Sequence, residues 1–123
     1  MALFRLNQRT PEPGDQDWVS IRRSAGGFAT GPWDLVSRAD ITNGTWDLLR
    51  SPSSGQLALG FRARRGFALV VSAEEIASVT PQADGINMVV DVHAQQGEDS
   101  AVFVCIAPTA RLKELFAGLG IAL

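Results

Sequence analysis

The sequence is poor in the side chains that most often carry chemistry. Its 123 residues include one cysteine, one histidine and no tyrosine. The single cysteine, Cys105, excludes an internal disulfide, and its place in an apolar run indicates a buried structural thiol. One histidine, one cysteine and scattered carboxylates match no recognised spacing of metal ligands. We therefore expect neither a metal nor another cofactor.

Long hydrophobic runs are also absent. No apolar segment approaches the ~20 residues that a membrane helix requires. Residues 1–7 lack the apolar core and small-residue cleavage site of a secretion signal. Together with the lone cysteine, these observations predict a cytoplasmic protein. The length predicts a single domain over residues 17–123, and the polar, proline-containing stretch 1–16 predicts an extended or disordered leader.

Basic charge is scarce overall and unevenly distributed. The formal net charge is −2. Residues 1–65 hold nine arginines against six acidic residues, whereas residues 66–123 hold two basic residues against seven acidic ones. The positive first half falls well short of the charge of a DNA-binding domain, so no nucleic-acid partner is expected. The asymmetry suits a surface that contacts another protein or a second copy of the chain.

Hydrophobic patterns predict about seven strands followed by one helix. Ile86, Met88, Val90 and Val92 alternate with other residues, which is the period of a strand with one core face, and residues 101–107 form a second apolar strand. A helix is predicted over 109–118, where large apolar residues recur at helical spacing: Leu112, Leu115, Phe116 and Leu119. The fold class is α+β, mostly β, with antiparallel strands in a bent sheet or small barrel capped by the C-terminal helix.

Glycine marks the turns that we predict in the first half of the chain. A first strand is predicted over 18–23, followed by the glycine-rich stretch 24–32. This stretch lacks the lysine of a phosphate-binding loop, so we interpret it as a flexible connection between strands. Asn43-Gly44 is the strongest hairpin signal, because both residues accept the positive φ of a type I′ turn. This turn would pair residues 35–42 with 45–50.

The order of strands followed by a terminal helix resembles the pleckstrin-homology-like fold, particularly its small bacterial members. The likeness is best over residues 55–119 and extends to the first half only by strand count. It implies a bent barrel of seven antiparallel strands whose C-terminal helix plugs one open end. Many eukaryotic members bind inositol phosphates through basic residues of the first two strands, positions that Arg22, Arg23 and Arg38 roughly occupy here. The first loop of this chain, however, carries no lysine.

His93 and Asp91 form the one pair suited to acid–base chemistry. They lie two residues apart and so share a strand face, where a carboxylate can orient an imidazole. No nucleophile accompanies them, because Cys105 is expected in the core. A polar strand surface is the favoured interpretation, and the protein is not expected to be an enzyme.

The sequence favours a non-enzymatic protein–protein interaction module or adaptor. One alternative is a structural or accessory subunit of a phage or secretion assembly that self-associates. A second is a binder of anionic lipid headgroups, for which membrane contact would be needed. The candidate partner-binding residues are arginines: Arg22, Arg23, Arg38, Arg62, Arg64 and Arg65.

Overall fold

The computed structural model describes residues 18–64, 66–82 and 85–123, so the predicted leader and Arg65 lie outside the described residues. These ranges contain seven strands and one α-helix: β1 (Val19–Thr30), β2 (Thr42–Arg50), β3 (Leu57–Ala63), β4 (Gly66–Ser72), β5 (Ile76–Gln82), β6 (Asn87–Gln96), β7 (Asp99–Pro108) and α1 (Thr109–Gly118). No helix in these three ranges is both long and apolar enough to cross a membrane.

The predicted fold class is confirmed. The strands form one antiparallel sheet in the order β4-β3-β2-β1-β7-β6-β5, and the helix follows the last strand. β1 is the central element, because it pairs with β2 over most of its length and with β7 only over Gly27–Thr30. The sheet therefore has two halves, β2–β4 and β5–β7, that are joined through the C-terminal part of β1.

Side chains from both halves meet in one main core. α1 closes this core with three buried residues, Leu112, Leu115 and Phe116. The main core contains an aromatic cluster in which neighbouring ring centroids lie 4.7 to 6.1 Å apart; the rings are those of Phe28, Trp46, Phe61 and Phe103. Burial of each such side chain stabilises the fold by roughly 1.5–3 kcal/mol, so the core and its helix hold the two halves together.

β1 continues to Thr30, so the predicted flexible loop over 24–32 is wrong. Gly26 and Gly27 lie inside the strand. Glycine is needed at these positions because neighbouring groups approach too closely for a side chain. A Cβ atom on Gly26 would overlap the carbonyl oxygen of Ile106, and one on Gly27 would lie 2.8 Å from Cγ2 of Ile41. These glycines permit a close crossing of strands instead of a turn.

The predicted hairpin at Asn43-Gly44 is also wrong. Both residues lie within β2, and β2 pairs with β1 in a register that places Gly26 opposite Gly44 and Gly27 opposite Asn43. Gly44 does not have a positive φ. The residues that precede β2 instead form a loop, 31–41, which contains two short 3-10 turns and which we call the outer loop.

Gly44→Val is expected to destabilise the protein by about 1–3 kcal/mol through overpacking of the sheet. A Cβ atom at this position would overlap the carbonyl oxygen of Arg62 and lie 2.6 Å from Cζ of Phe61. Urea denaturation measures the change, with Thr42→Val as a control because Thr42 is an exposed residue of the same strand. Equal stability of the two variants would contradict the close approach of β2 and β3 at Gly44.

The predicted core face of β6 is correct from Met88 onward but wrong at Ile86. The strand begins at Asn87, and Ile86 before it is 91% exposed. Val90 and Val92 are fully buried in the main core. We call the face of the sheet that points away from the main core its outer side. Val89 lies on the outer side and is also fully buried, because other apolar residues cover it there.

Two small apolar clusters cover parts of the outer side of the sheet. On the β2–β4 half, Trp18 and Phe67 pack against a cluster formed by Leu49, Ala58 and Val70. On the β6–β7 half, half-buried side chains that include Trp33, Val36 and Ile41 of the outer loop pack against Ala29, Val89 and Val104. The outer loop is therefore a packed part of the domain.

Candidate partner-binding surface

The structure separates most of the predicted arginines. Successive side chains of a strand point to opposite faces, so Arg22 and Arg23 diverge. Arg22 reaches α1, where its Nη1 lies 2.6 Å from Oε2 of Glu114, while Arg23 lies on the outer side of β1. Arg38 belongs to the outer loop, and Arg64 lies in the turn after β3. The three arginines proposed for a lipid headgroup, Arg22, Arg23 and Arg38, are thus not gathered into one site.

Two of the predicted arginines do come together, on a buried carboxylate. The side chain of Asp47 has no exposed surface, and its Oδ1 accepts hydrogen bonds from Oγ of Ser20 at 2.7 Å and from Nε of Arg23 at 3.0 Å. Nε of Arg62 donates to Oδ2 of Asp47 at 3.4 Å, and its guanidinium lies over Phe67, 4.6 Å from the ring centroid. We call Arg23 and Arg62 the arginine pair.

A groove opens on the outer side of the sheet where β1 separates from β7, and we call it the β1 groove. The pairing of these strands ends at Gly27 and Ile106. The groove has a volume of about 640 Å³, within the range of ligand-binding clefts. The backbone of β1 and three half-buried apolar side chains line much of it; the lining residues are Ala25, Gly26, Gly27, Trp33, Arg38, Ile41, Asn43, Gly44, Asn87, Ile106, Ala107 and Pro108.

Arg38 is the charged residue among those that line the β1 groove. Its guanidinium makes no ion pair or hydrogen bond with the described part of the chain. The nearby carboxylate of Asp40 accepts hydrogen bonds from the backbone N–H of Ser37 at 3.0 Å and from its hydroxyl at 2.9 Å. These two bonds lower the pKa of Asp40, which is therefore ionised at neutral pH but engaged with Ser37. Arg38 is left available to an anionic group of a ligand.

Hydrogen bonds hold the groove in a preformed shape. The backbone N–H of Trp33 donates to Oδ1 of Asp91 at 3.0 Å, and Nε2 of Gln82 donates to Oδ2 of the same carboxylate at 3.3 Å. From the core side, Nε1 of Trp46 donates to the carbonyl oxygen of Gly27 at 2.9 Å. The outer loop and the β1 backbone are therefore both anchored beside the groove.

The residues considered for catalysis do not form a reactive arrangement within the described ranges. Both oxygens of Asp91 are used by Trp33 and Gln82, and Asp91 makes no hydrogen bond to the exposed His93. Cys105 is fully buried in the main core on a different strand. Across residues 18–64, 66–82 and 85–123, no group of three or more His, Cys, Asp or Glu side chains is placed to hold a metal ion.

Cys105 is expected to be unreactive in the native protein. Burial raises the pKa of its thiol well above the usual range, so the reactive thiolate is suppressed and reagents have no access to the sulfur. A chromogenic disulfide reagent should label the native protein at least roughly 100-fold more slowly than the urea-unfolded protein, because reaction requires opening of the core. Equal rates would show that β7 is exposed in solution.

Several lining residues of the groove had no functional role in the interpretation of the sequence. No function was predicted for Trp33, Ile41 or Ile106 from the sequence. The available signal was Gly26-Gly27, because glycine inside a strand can mark the close approach of another backbone. The same glycines are equally typical of a loop, so the sequence did not distinguish the two.

The comparisons with known proteins concern the fold. No protein-family model matches the sequence, and no curated protein matches it. Among solved structures, the chain is similar to the Ran-binding domain of the nuclear complex component Nup2 from Ashbya gossypii, with a TM-score of 0.62 and 16% sequence identity. The match covers 85% of this chain and 93% of that one. At this identity the likeness shows a shared fold, which is pleckstrin-homology-like.

Proposed function

We propose that the protein is a non-enzymatic interaction module that binds an extended segment of a partner protein in the β1 groove. The observation that carries this proposal is the groove itself, where an unpaired arginine stands beside half-buried apolar side chains. β1 and β7 also separate at this point, so Ala107 and Pro108 have no partner on β1. Extended peptides bind proteins through backbone groups of a strand that lack a partner strand, with pockets that select side chains.

The lining of the groove indicates the chemistry of the bound segment. Trp33, Ile41 and Ile106 offer apolar surface to an aliphatic or aromatic side chain. The free guanidinium of Arg38 suits a carboxylate, with which arginine forms two parallel hydrogen bonds. The expected ligand is therefore a short acidic sequence that also carries a large apolar residue.

The shared fold supports a protein partner in general. The Nup2 domain is named for the binding of Ran, which is a property of that protein. A groove that is anchored by hydrogen bonds before binding also reduces the entropic cost of association.

Selection of peptides from a random library displayed on phage tests the proposal. The wild-type protein should enrich peptides that combine an acidic residue with a large apolar one. Arg38→Glu should weaken their binding about tenfold or more, because it places like charges opposite each other. Arg50→Glu is the matched control, since Arg50 is an exposed arginine that does not line the groove.

Two outcomes would overturn the proposal. One is the absence of any enriched peptide while a well-behaved peptide-binding domain, selected in parallel, does enrich its ligands. The other is binding of the selected peptides that Arg38→Glu and Arg50→Glu reduce to the same extent, which would indicate attraction by net charge alone.

A further inference from the structure

We propose that the arginine pair, held on Asp47, is a second binding site that takes a carboxylate-bearing segment of a partner protein. This inference does not rest on the β1 groove. It rests on the free hydrogen-bond donors, the net positive charge and the fixed orientation of the side chains of Arg23 and Arg62, on the outer side of β1 and β3.

Both arginines contact Asp47 through Nε and keep the other end of the guanidinium free. Nε of Arg23 and Nε of Arg62 each donate to one oxygen of the carboxylate. Their Nη atoms have no partner in the described part of the chain. The two Nη atoms of a guanidinium form a fork that matches the two oxygens of a carboxylate.

The arginine pair carries more positive charge than is required to neutralise the buried carboxylate of Asp47. One arginine would neutralise Asp47, but two are present, and the cluster keeps a net charge of +1. The side chains of Arg23 and Arg62 are 60% and 41% exposed, so an anionic group can reach them. The buried oxygens of Asp47 are already bonded and do not face such a ligand.

The two guanidinium groups are oriented before any ligand arrives. Arg62 lies over the ring of Phe67, and its Nε is bonded to Asp47. Nε of Arg23 is shared between Asp47 and Oγ of Ser20, at 3.0 Å from each. Long side chains that are already fixed lose less conformational entropy when they bind, so this site is better prepared than a pair of free surface arginines.

The arginine pair lies on the same side of the sheet as the β1 groove. Asn43, which lines the groove, and Asp47 are four residues apart on β2 and therefore on the same face. Four residues of a strand span about 13 Å. One extended partner segment can therefore reach both places.

The observations favour a protein partner over a membrane. Recognition of anionic lipid takes a cluster of about four to eight basic residues. This site offers two arginines and a net charge of +1, and the one lysine of the sequence, Lys113, lies on α1. A carboxylate segment needs no more than the fork of each guanidinium.

The direct test is NMR of the arginine side chains in the whole protein, titrated with a peptide of six glutamates. The Nε–H resonances of Arg23 and Arg62 should shift in a salt-sensitive manner, while those of Arg22 and Arg50 should stay in place. A peptide of six glutamines is the control and should leave all four unchanged. Binding should persist in Arg38→Glu, which separates this site from the groove.

A double variant, Arg23→Lys with Arg62→Lys, tests the role of the guanidinium fork. Each lysine keeps a positive charge for Asp47 but has no fork, so the affinity for hexaglutamate should fall about fivefold or more. Arg50→Lys is the matched control, and a melting curve shows whether the double variant is folded. If it does not fold, the NMR titration of the wild type still decides the question.

Three results would overturn the proposal. The first is a hexaglutamate titration in which the resonances of Arg23 and Arg62 do not move. The second is a shift of equal size at all observed arginines, which would indicate net charge without a site. The third is stronger association with phosphatidylserine vesicles than with hexaglutamate, which would assign the arginine pair to a lipid surface.

Discussion

Leu115→Asp is expected to unfold the protein at 25 °C without denaturant. Leu115 is fully buried on the face of α1 that covers the main core. The substitution removes apolar contacts and places an unpaired carboxylate among apolar side chains, and burial of such a charge is among the most destabilising changes known. The expected loss, about 4–5 kcal/mol or more, rivals the total stability of many small domains. Far-UV circular dichroism and amide NMR dispersion measure the result.

Ala110→Asp is the matched control, because it adds the same side chain to an exposed position of the same helix. Ala110 lies in the first turn of α1, where a negative charge interacts favourably with the helix dipole. This variant should melt cooperatively near the wild-type temperature. If Leu115→Asp does the same, then α1 does not close the core in solution.

The elements that the sequence predicted well are those in which a local period determines which residues are buried. α1 spans Thr109–Gly118 because its apolar residues recur at helical spacing, and these residues pack into the main core. β6 and β7 could be predicted for the same reason, because an alternating or a continuous apolar run indicates a strand whichever strands pair with it. The error at Ile86 lies at the end of an element, where a period no longer constrains the assignment.

The glycines of the first half show where local patterns fail. Gly26 and Gly44 were assigned to a loop and a turn, because glycine is typical of both. They instead lie opposite each other in paired strands, where close neighbours leave no room for a side chain. The neighbour of Gly26 is Ile106, which is distant in sequence, so no local window contains the information that determines its conformation.

The candidate sites could be predicted in residue type but not in arrangement. The uneven charge predicted a surface that contacts a partner, and two of its candidate arginines, Arg23 and Arg62, lie on the same carboxylate. Their convergence on Asp47 depends on the pairing of β1, β2 and β3, and a shift of one residue would turn these side chains to the opposite face. The alternation along β1 likewise sends Arg22 to α1 and separates it from Arg23.

The β1 groove forms beside the crossing of β1 and β7, which could not be predicted from the sequence. β1 approaches β7 closely at Gly26 and Gly27, and the two strands separate beyond Ile106. The outer loop crosses nearby because β1 is long and its connection to β2 must return over the sheet. The groove is thus a consequence of sheet topology, and its residues come from four strands and a loop.

Gly26→Ala is expected to destabilise the protein by about 3 kcal/mol or more, at the upper end of the range for overpacked sites. The added methyl group would overlap the carbonyl oxygen of Ile106 and lie 2.8 Å from Cδ1 of Trp46. Neither neighbour can move easily, because Ile106 contributes backbone and Trp46 is buried and bonded to Gly27. Urea denaturation measures the loss, and hydrogen exchange of the amides of β1 should show weaker protection where it pairs with β7.

Gly118→Ala is the matched comparison, because the same methyl group would there meet the flexible end of a side chain. A Cβ atom on Gly118 would overlap Cδ2 of Leu48, which is the end of a side chain and not backbone, and alanine in place of glycine favours a helix by about 1 kcal/mol. Gly118→Ala should therefore be clearly more stable than Gly26→Ala. If the two variants lose the same stability, the crossing of β1 and β7 is looser than the structure has it. A close crossing also predicts that Gly26→Ala weakens the binding of peptides selected on the wild type, because the shape of the β1 groove depends on it. Unchanged affinity would accompany a looser crossing.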